Sequence, residues 1–227
     1  AGIIKLLCGK FSFMEGADFT PELGKVLNSK KVSDHHAIIP TMELAKADLA
    51  ALEKELGEYV VVANLPYYIT TPLIMRFVEE AERVRSLTVM VQDDVARRFC
   101  AKENTPDYGA VTAAIARRGK AEIVKYVPRK MFFPVPNVDS AVVRIDFEKD
   151  RIPVKSAKCY RDTVRAAFLS RRKTLENNLM NGFSFTREQA KCVLEKAGIP
   201  EKARGETLSP ERLAALSDLI FEMRTES

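Results

Sequence analysis

The spacing of apolar positions along this chain changes twice, and each change marks a different kind of structure. Tyr59–Ala63 (YVVVA) is an unbroken apolar, largely β-branched run, the pattern of a strand buried on both faces of a parallel sheet. From Pro72 to Arg83 the apolar residues Leu73, Ile74, Phe77, Val78 and Ala81 fall at helical spacing. Ser86–Val91 (SLTVMV) reads as a second buried strand, and helices are expected over Asp93–Ala101 and Tyr108–Arg118. Ala121–Val127 and Ala141–Phe147 alternate apolar with polar residues, as strands near a sheet edge do. This order is half of an open α/β sheet with an antiparallel finish.

After Asp150-Arg151-Ile152-Pro153 the strand signals stop. Cys159–Leu169, Lys173–Leu179, Thr186–Ala197 and Pro210–Met223 read as helices, so a small all-α domain follows a boundary near residue 150. Gly182 and Gly198 fall where helix ends favour a left-handed residue. Ser209-Pro210 supplies an N-cap followed by proline in the first turn. The front is less regular. Gly2, Gly9, Gly16 and Gly24 punctuate short apolar pieces, Thr20-Pro21-Glu22 reads as a helix start, and Met42 to Leu56 as a helix or helix-containing connection.

Composition narrows the class. Hydrophobic residues at 46% and charged residues at 30% are ordinary for a folded chain. No apolar run approaches the ~18 residues of a membrane span, and the opening residues do not read as a secretory signal. Cys8, Cys100, Cys159 and Cys192 are scattered, which argues against zinc or a disulfide framework and fits a reducing cytoplasm. Net charge is +5, and its distribution says more than its size. Between Arg151 and Lys173 stand eight Lys/Arg and one acid, Asp162. Such a cluster is either a solvated helix face or a phosphate-binding surface, and Ser170-Arg171-Arg172-Lys173 favours the second.

Two segments carry candidate chemistry. Asn64-Leu65-Pro66-Tyr67-Tyr68-Ile69 follows the YVVVA strand directly, at the carboxyl end where open α/β sheets bind ligands. An Asn side-chain oxygen and a proline-flanked carbonyl can accept from an exocyclic amine, and a neighbouring ring can stack on a base. The bland alternative is a proline-shaped turn with two core tyrosines. In Phe132-Phe133-Pro134-Val135-Pro136-Asn137-Val138-Asp139, prolines hold an extended loop, so Phe133 is either a stacking platform for a flipped base or a core plug.

These segments, with Asp107-Tyr108-Gly109-Ala110, Ala167-Phe168-Leu169-Ser170-Arg171-Arg172-Lys173-Thr174-Leu175, Asn177-Asn178-Leu179, and Arg204 with Glu206-Thr207-Leu208-Ser209, resemble the bacterial small-subunit rRNA adenine N6,N6-dimethyltransferases. The resemblance covers about three quarters of the chain, in order, from about residue 57 on. It implies a partial Rossmann-like methyltransferase sheet, its N-terminal strands missing or replaced, followed by a helical domain. The divisions are an atypical front at 1–56, the sheet domain at 57–150 and an rRNA-binding helical domain at 151–227. It also implies methyl transfer from S-adenosylmethionine to adenine N6, with small-subunit rRNA or the 30S subunit as partner. Asn64 and the Leu65 and Pro66 carbonyls would hold N6, Tyr67 and Phe133 would sandwich the base, and Asn64 and Pro66 would border the cofactor. Arg161, Arg165, Arg171, Arg172 and Lys173 would contact rRNA phosphates. No metal is implied.

The front departs from that family. No Gly-x-Gly occurs anywhere, and 63 residues before Asn64 are too few for three strands and their helices. Glu43 alone falls where the family has an acid near the cofactor adenine, so S-adenosylmethionine binding is expected to be weak or absent. Lys31-Val32-Ser33-Asp34-His35-His36-Ala37-Ile38-Ile39-Pro40-Thr41 instead resembles a motif of type IA DNA topoisomerases, with a likeness running from about Phe19 to Asp48. The catalytic tyrosine in its Tyr-Pro-Arg-Thr setting is not present, so strand cleavage is not implied. Three readings follow: an rRNA adenine dimethyltransferase impaired in cofactor binding, a non-catalytic RNA- or ribosome-binding remnant, and a topoisomerase-related DNA-binding fragment. A truncated sheet would expose an edge, so residues 1–56 are expected to cover it or the chain to self-associate through it.

Overall fold

The computed structural model describes residues 2–6, 36–38, 46, 48–149 and 151–225. Strands β1 (Gly2–Leu6), β2 (His36–Ile38), β3 (Tyr59–Asn64), β4 (Val84–Gln92), β5 (Gly119–Val127) and β6 (Ser140–Phe147) form one sheet in the order β2-β1-β3-β4-β6-β5. The pairs β1–β2, β1–β3 and β3–β4 are parallel, and β4–β6 is antiparallel. The helices are α1 (Leu49–Leu56), α2 (Thr70–Glu80), α3 (Asp93–Phe99), α4 (Ala110–Arg118), α5 (Ala157–Ala167), α6 (Leu175–Phe183), α7 (Arg187–Lys196) and α8 (Pro210–Thr225). The chain separates into two compact units, residues 1–97 with 120–147, and residues 98–119 with 148–227. Helix α4 groups with the helical unit because Tyr108 and Ala113 are buried in its core, beyond what the loss of strand signal near residue 150 suggests.

The two apolar runs lie at the centre of the sheet, and β3 is paired on both edges. They are not buried on both faces as expected: Tyr59, Val61 and Ala63 of β3 and Leu87, Val89 and Val91 of β4 are buried, whereas Val62 is exposed and Val60, Thr88 and Met90 are half-buried. The edge of β3, expected to be covered by residues 1–56 or to drive self-association, is covered by β1, in register from Gly2↔Tyr59 to Leu6↔Ala63. The front therefore supplies two strands where the apolar pattern predicted none, and self-association through the β3 edge has no free edge to use. These strands, GIIKL and HAI, are too short to show a periodicity.

Several boundaries shift for identifiable reasons. Helix α2 begins at Thr70 rather than Pro72, since proline is tolerated in a first turn. It stops at Glu80 because the N–H groups beyond Ala81 are claimed elsewhere. The buried Glu53 carboxylate of α1 accepts from Glu82 N–H (3.0 Å), Arg83 N–H (3.0 Å) and the Tyr59 hydroxyl (2.8 Å), tying α1 to the start of β3 and the α2–β4 turn. Helix α4 begins at Ala110 because Gly109 is its N-cap, its N–H donating to Thr112 Oγ1 (3.2 Å). Gly198 has the expected left-handed backbone (φ +61°), but Gly182 does not terminate α6. It lies inside that helix, where a Cβ would stand 2.4 Å from the Ala166 Cβ of α5, and Ser184 takes the left-handed position instead.

Two tyrosines lock the helical unit from within. Tyr108 donates to the Leu208 carbonyl (2.8 Å) and Tyr160 to the Ala113 carbonyl (2.9 Å). Burial raises the pKa of both, and burial with the neighbouring Glu53 raises that of Tyr59. Unfolded tyrosines ionise near pH 10, before these native ones, so the native state holds the extra protons and stability falls as pH rises above ~10. Urea melts between pH 8 and 11 are expected to show that fall. Tyr108→Phe should cost about 1–3 kcal/mol at neutral pH by orphaning the Leu208 carbonyl, and should shallow the alkaline fall. An alkaline slope identical in the variant would contradict this.

Candidate functional site

Within the sheet unit, β3 ends at Asn64, which is exposed, while the Leu65 side chain turns into the core. The Pro66 carbonyl accepts from Ile69 N–H (3.1 Å) and from Thr70 Oγ1 (3.0 Å). Both of its lone pairs are thus engaged inside the turn that launches α2. Among the described residues no partner is seen for two further acceptors at this corner, the Asn64 side-chain oxygen and the Leu65 carbonyl. Tyr67 is half-exposed, and its hydroxyl shares a 2.9 Å hydrogen bond with Ser140 Oγ. Ser140 is buried, opens β6 and pairs with Gln92 of β4. One bond therefore fixes the Tyr67 ring relative to the ends of three strands. Tyr68 points to solvent, 76% exposed.

The loop between β5 and β6 rises from the same edge of the sheet. Asp139 closes its base: its carboxylate accepts from Arg129 N–H (2.7 Å) and its carbonyl from Asp93 N–H (3.0 Å). Arg129 also donates to the Asn137 carbonyl (3.3 Å), and a short helical turn, Arg129–Met131, follows. The Phe133–Pro134 bond is cis, and Phe133 stands 81% exposed. Phe133 is a presented ring and no core plug.

The basic segment belongs to the helical unit. Arg161 is half-buried on α5 and Arg165 is exposed. The loop after α5 is held at three points. Arg171 donates to the Pro106 and Thr105 carbonyls (2.6 and 3.4 Å), and buried Asn178 donates through Nδ2 to the Ala167 and Ser170 carbonyls (2.9 and 3.0 Å). Gly205 packs so closely that a Cβ would lie 2.3 Å from the Ala167 oxygen. Arg171, though exposed like Leu169, Arg172 and Lys173, therefore serves as a tie between its loop and the 105–106 backbone. In the sequence the three cations look alike; only the 105–106 backbone distinguishes them.

Glu43 and most of the His35–Thr41 motif lie outside the described residues; His36–Ile38 form β2. Among the described residues no helix is long and apolar enough to cross a membrane.

A parallel sheet whose strand order reverses between β1 and β3, with an antiparallel β6 and a helical unit after it, is the fold of the Rossmann-like methyltransferases. It is similar to the crystal structure of a dimethyladenosine transferase from Plasmodium falciparum, at a TM-score of 0.66 and 18% identity over 99% of this chain and 90% of that one. It is also similar to the 23S rRNA methyltransferase ErmE, at a TM-score of 0.58 and 24% identity over 97% and 91%. The chain belongs to the ribosomal RNA adenine dimethylase family, whose model matches residues 20–220. That match extends forward of residue 57 and across the stretch with the topoisomerase-like residues.

Relatives include the ribosomal RNA small subunit methyltransferase A of Geobacillus thermodenitrificans, 41% identical over 80% of this chain. Those of Clostridium acetobutylicum (41% over 86%) and Clostridioides difficile (42% over 80%) are comparable. The chain spans 64%, 71% and 64% of the lengths of these three relatives.

The hydrogen bonds of the basic loop make a separable prediction. Arg171→Ala should lower stability by about 1–2 kcal/mol, because charge-assisted bonds to two carbonyls are lost. Arg172→Ala and Lys173→Ala should stay within about 0.5 kcal/mol of the parent. Urea titration of the three variants checks this, and three equal values would refute it.

Proposed function

We propose that this chain binds an adenine of small-subunit ribosomal RNA and presents its N6, as the substrate-binding part of an rRNA adenine N6-dimethyltransferase. The observation that carries the reading is the exposed Asn64 corner beside a Tyr67 ring held by Ser140, with exposed Phe133 on the loop that enters β6. Adenine N6 is a poor nucleophile because its lone pair is conjugated into the ring. Two acceptors, Asn64 Oδ1 and the Leu65 carbonyl, can take its two N–H bonds, bend them out of the ring plane and so release the lone pair from conjugation. Tyr67 and Phe133 supply stacking faces for the base. Pro66 contributes by shaping the turn, since its carbonyl is already engaged. Arg161, Arg165, Arg172 and Lys173 are the phosphate contacts in this reading, and Arg171 sets the shape of their loop. The RNA partner is small-subunit rRNA, free or in the 30S subunit.

The family uses S-adenosylmethionine as methyl donor. Its place would be the crevice beyond the carboxyl ends of β1 and β3, where strand order reverses. The sequence does not fit it: β2 runs His36-Ala37-Ile38 with no acid, and no Gly-x-Gly occurs in the chain to supply the paired glycines that let backbone approach the donor. That mismatch favours a second reading, a non-catalytic RNA-binding form that keeps the adenine half of the pocket. The topoisomerase-like residues add no cleavage chemistry to either reading.

Titration of the chain with a small-subunit rRNA fragment is expected to show affinity falling steeply with salt. Arg172→Ala with Lys173→Ala should flatten that slope by about 0.7–0.9 for each phosphate no longer neutralised. Phe133→Ala and Tyr67→Ala should each cost about 1–3 kcal/mol of binding and leave the slope alone, because stacking releases no counterions. Parent-like affinity in both folded ring variants would refute the adenine pocket. Calorimetry with S-adenosylmethionine should give weak or no binding, and micromolar affinity would overturn the second reading.

A further inference from the structure

One cleft in the sheet unit is not used by the adenine reading. It is lined by Asp93, Arg97, Tyr126, Val127, Pro128 and Asp139, where β4 and β5 end and β6 is about to begin. Both ends of the loop that carries Phe133 line it, so the cleft lies at the foot of the proposed stacking platform. Strands in a sheet are about 4.8 Å apart, which puts the cleft about 10 Å from the β3 corner, within reach of a nucleotide adjacent to the adenine.

Its lining has the parts a base subsite needs. Tyr126 projects from the edge strand with 59% of its surface exposed, an unusual position for a tyrosine with no core to fill. Met131, 71% exposed, stands on the neighbouring turn. The Asp139 carboxylate spends one oxygen on Arg129 N–H, and its backbone is fixed by Asp93, so the carboxylate is held in place at the cleft wall. Asp93, also in the lining, pairs through one oxygen with Arg97, and its other oxygen is covered and meets no donor. Lys125, Arg129 and Lys130 are exposed around it, which suits an RNA backbone passing over the surface. Carboxylates accept and cannot donate, so a base read here must offer N–H groups.

We propose that this cleft is a second base subsite, which takes the nucleotide next to the bound adenine and prefers a base with an amine or imino edge, guanine above all. Guanine offers N1–H and N2–H side by side, a match for one carboxylate, whereas uracil offers a single imino N–H. Tyr126 stacks on the base and Asp139 reads its edge. The subsite rests on the adenine reading given above, because the adenine fixes which nucleotide arrives at the cleft.

The test uses the full chain and short single-stranded RNAs with one adenine, varied to G, inosine, C or U on either side, in a fluorescence titration. On one side, G is expected to bind about 5- to 100-fold more tightly than U, with inosine, which lacks the N2 amine, in between. Asp139→Asn, which still accepts Arg129 N–H, should erase that preference. Tyr126→Ala should weaken every sequence, and Tyr126→Leu, which keeps the strand's bulk, should do the same with an unchanged melting temperature. If all neighbours bind equally while Phe133→Ala still weakens binding, the subsite is refuted and the adenine pocket stands. If no sequence binds, and Phe133→Ala changes nothing, both are refuted.

Discussion

A strand at the centre of a sheet must be paired on both edges, and β3 imposes that requirement on everything around it. Its alternate residues Tyr59, Val61 and Ala63 are buried, so helices or other cover must lie against the sheet, and its free N–H and C=O groups must find ladders. β4 meets the requirement on one side and β1 on the other. The five residues of β1, with the β-branched pair Ile3-Ile4 among them, complete this ladder although they are too few to show a period. With β3 fixed, Asn64 emerges at a defined point of the sheet edge, and Ser140, aligned through β4, is in position to hold Tyr67. The site follows from the ladder.

A second theme is that several side chains with functional appearance are committed to structure. Glu53 satisfies two N–H groups and a hydroxyl, and thereby decides where α2 stops. Arg171 caps carbonyls of the 105–106 turn. Pro66 offers its carbonyl to its own turn. In the proposed reading, what is left for a nucleic acid is Asn64, Tyr67, Phe133 and the Tyr126 and Asp139 cleft in the sheet unit, and, in the helical unit, Arg161, Arg165, Arg172 and Lys173.

Much of this was legible in the chain itself where one residue type in one local pattern suffices. β3 and β4 show as apolar runs, α8 by Ser209-Pro210 at its start, and the Asn64 and Phe133 segments by their prolines. The features that escaped are those set by distant partners. Gly182 looks like a helix terminator until Ala166 is seen against it, and Arg171 like its two neighbours until the backbone 65 residues away is in place. Glu53 looks like a surface acid on an amphipathic helix until the turn near residue 82 folds onto it. Strands as short as β1 and β2 carry no period to read, so their membership of the sheet appears only with their neighbour.

The central claim is that Asn64 and the Leu65 carbonyl hold the amine of one adenine. The most direct measurement compares the affinity of the full chain for a small-subunit rRNA fragment with that for the same fragment carrying purine riboside at the target position. Purine keeps the ring that stacks on Tyr67 and Phe133 and lacks only the N6 amine. The account predicts a loss of about tenfold or more, the worth of two hydrogen bonds to a site built to accept them. Equal affinity for adenine and purine would show that nothing in this corner grips N6, and would contradict the account.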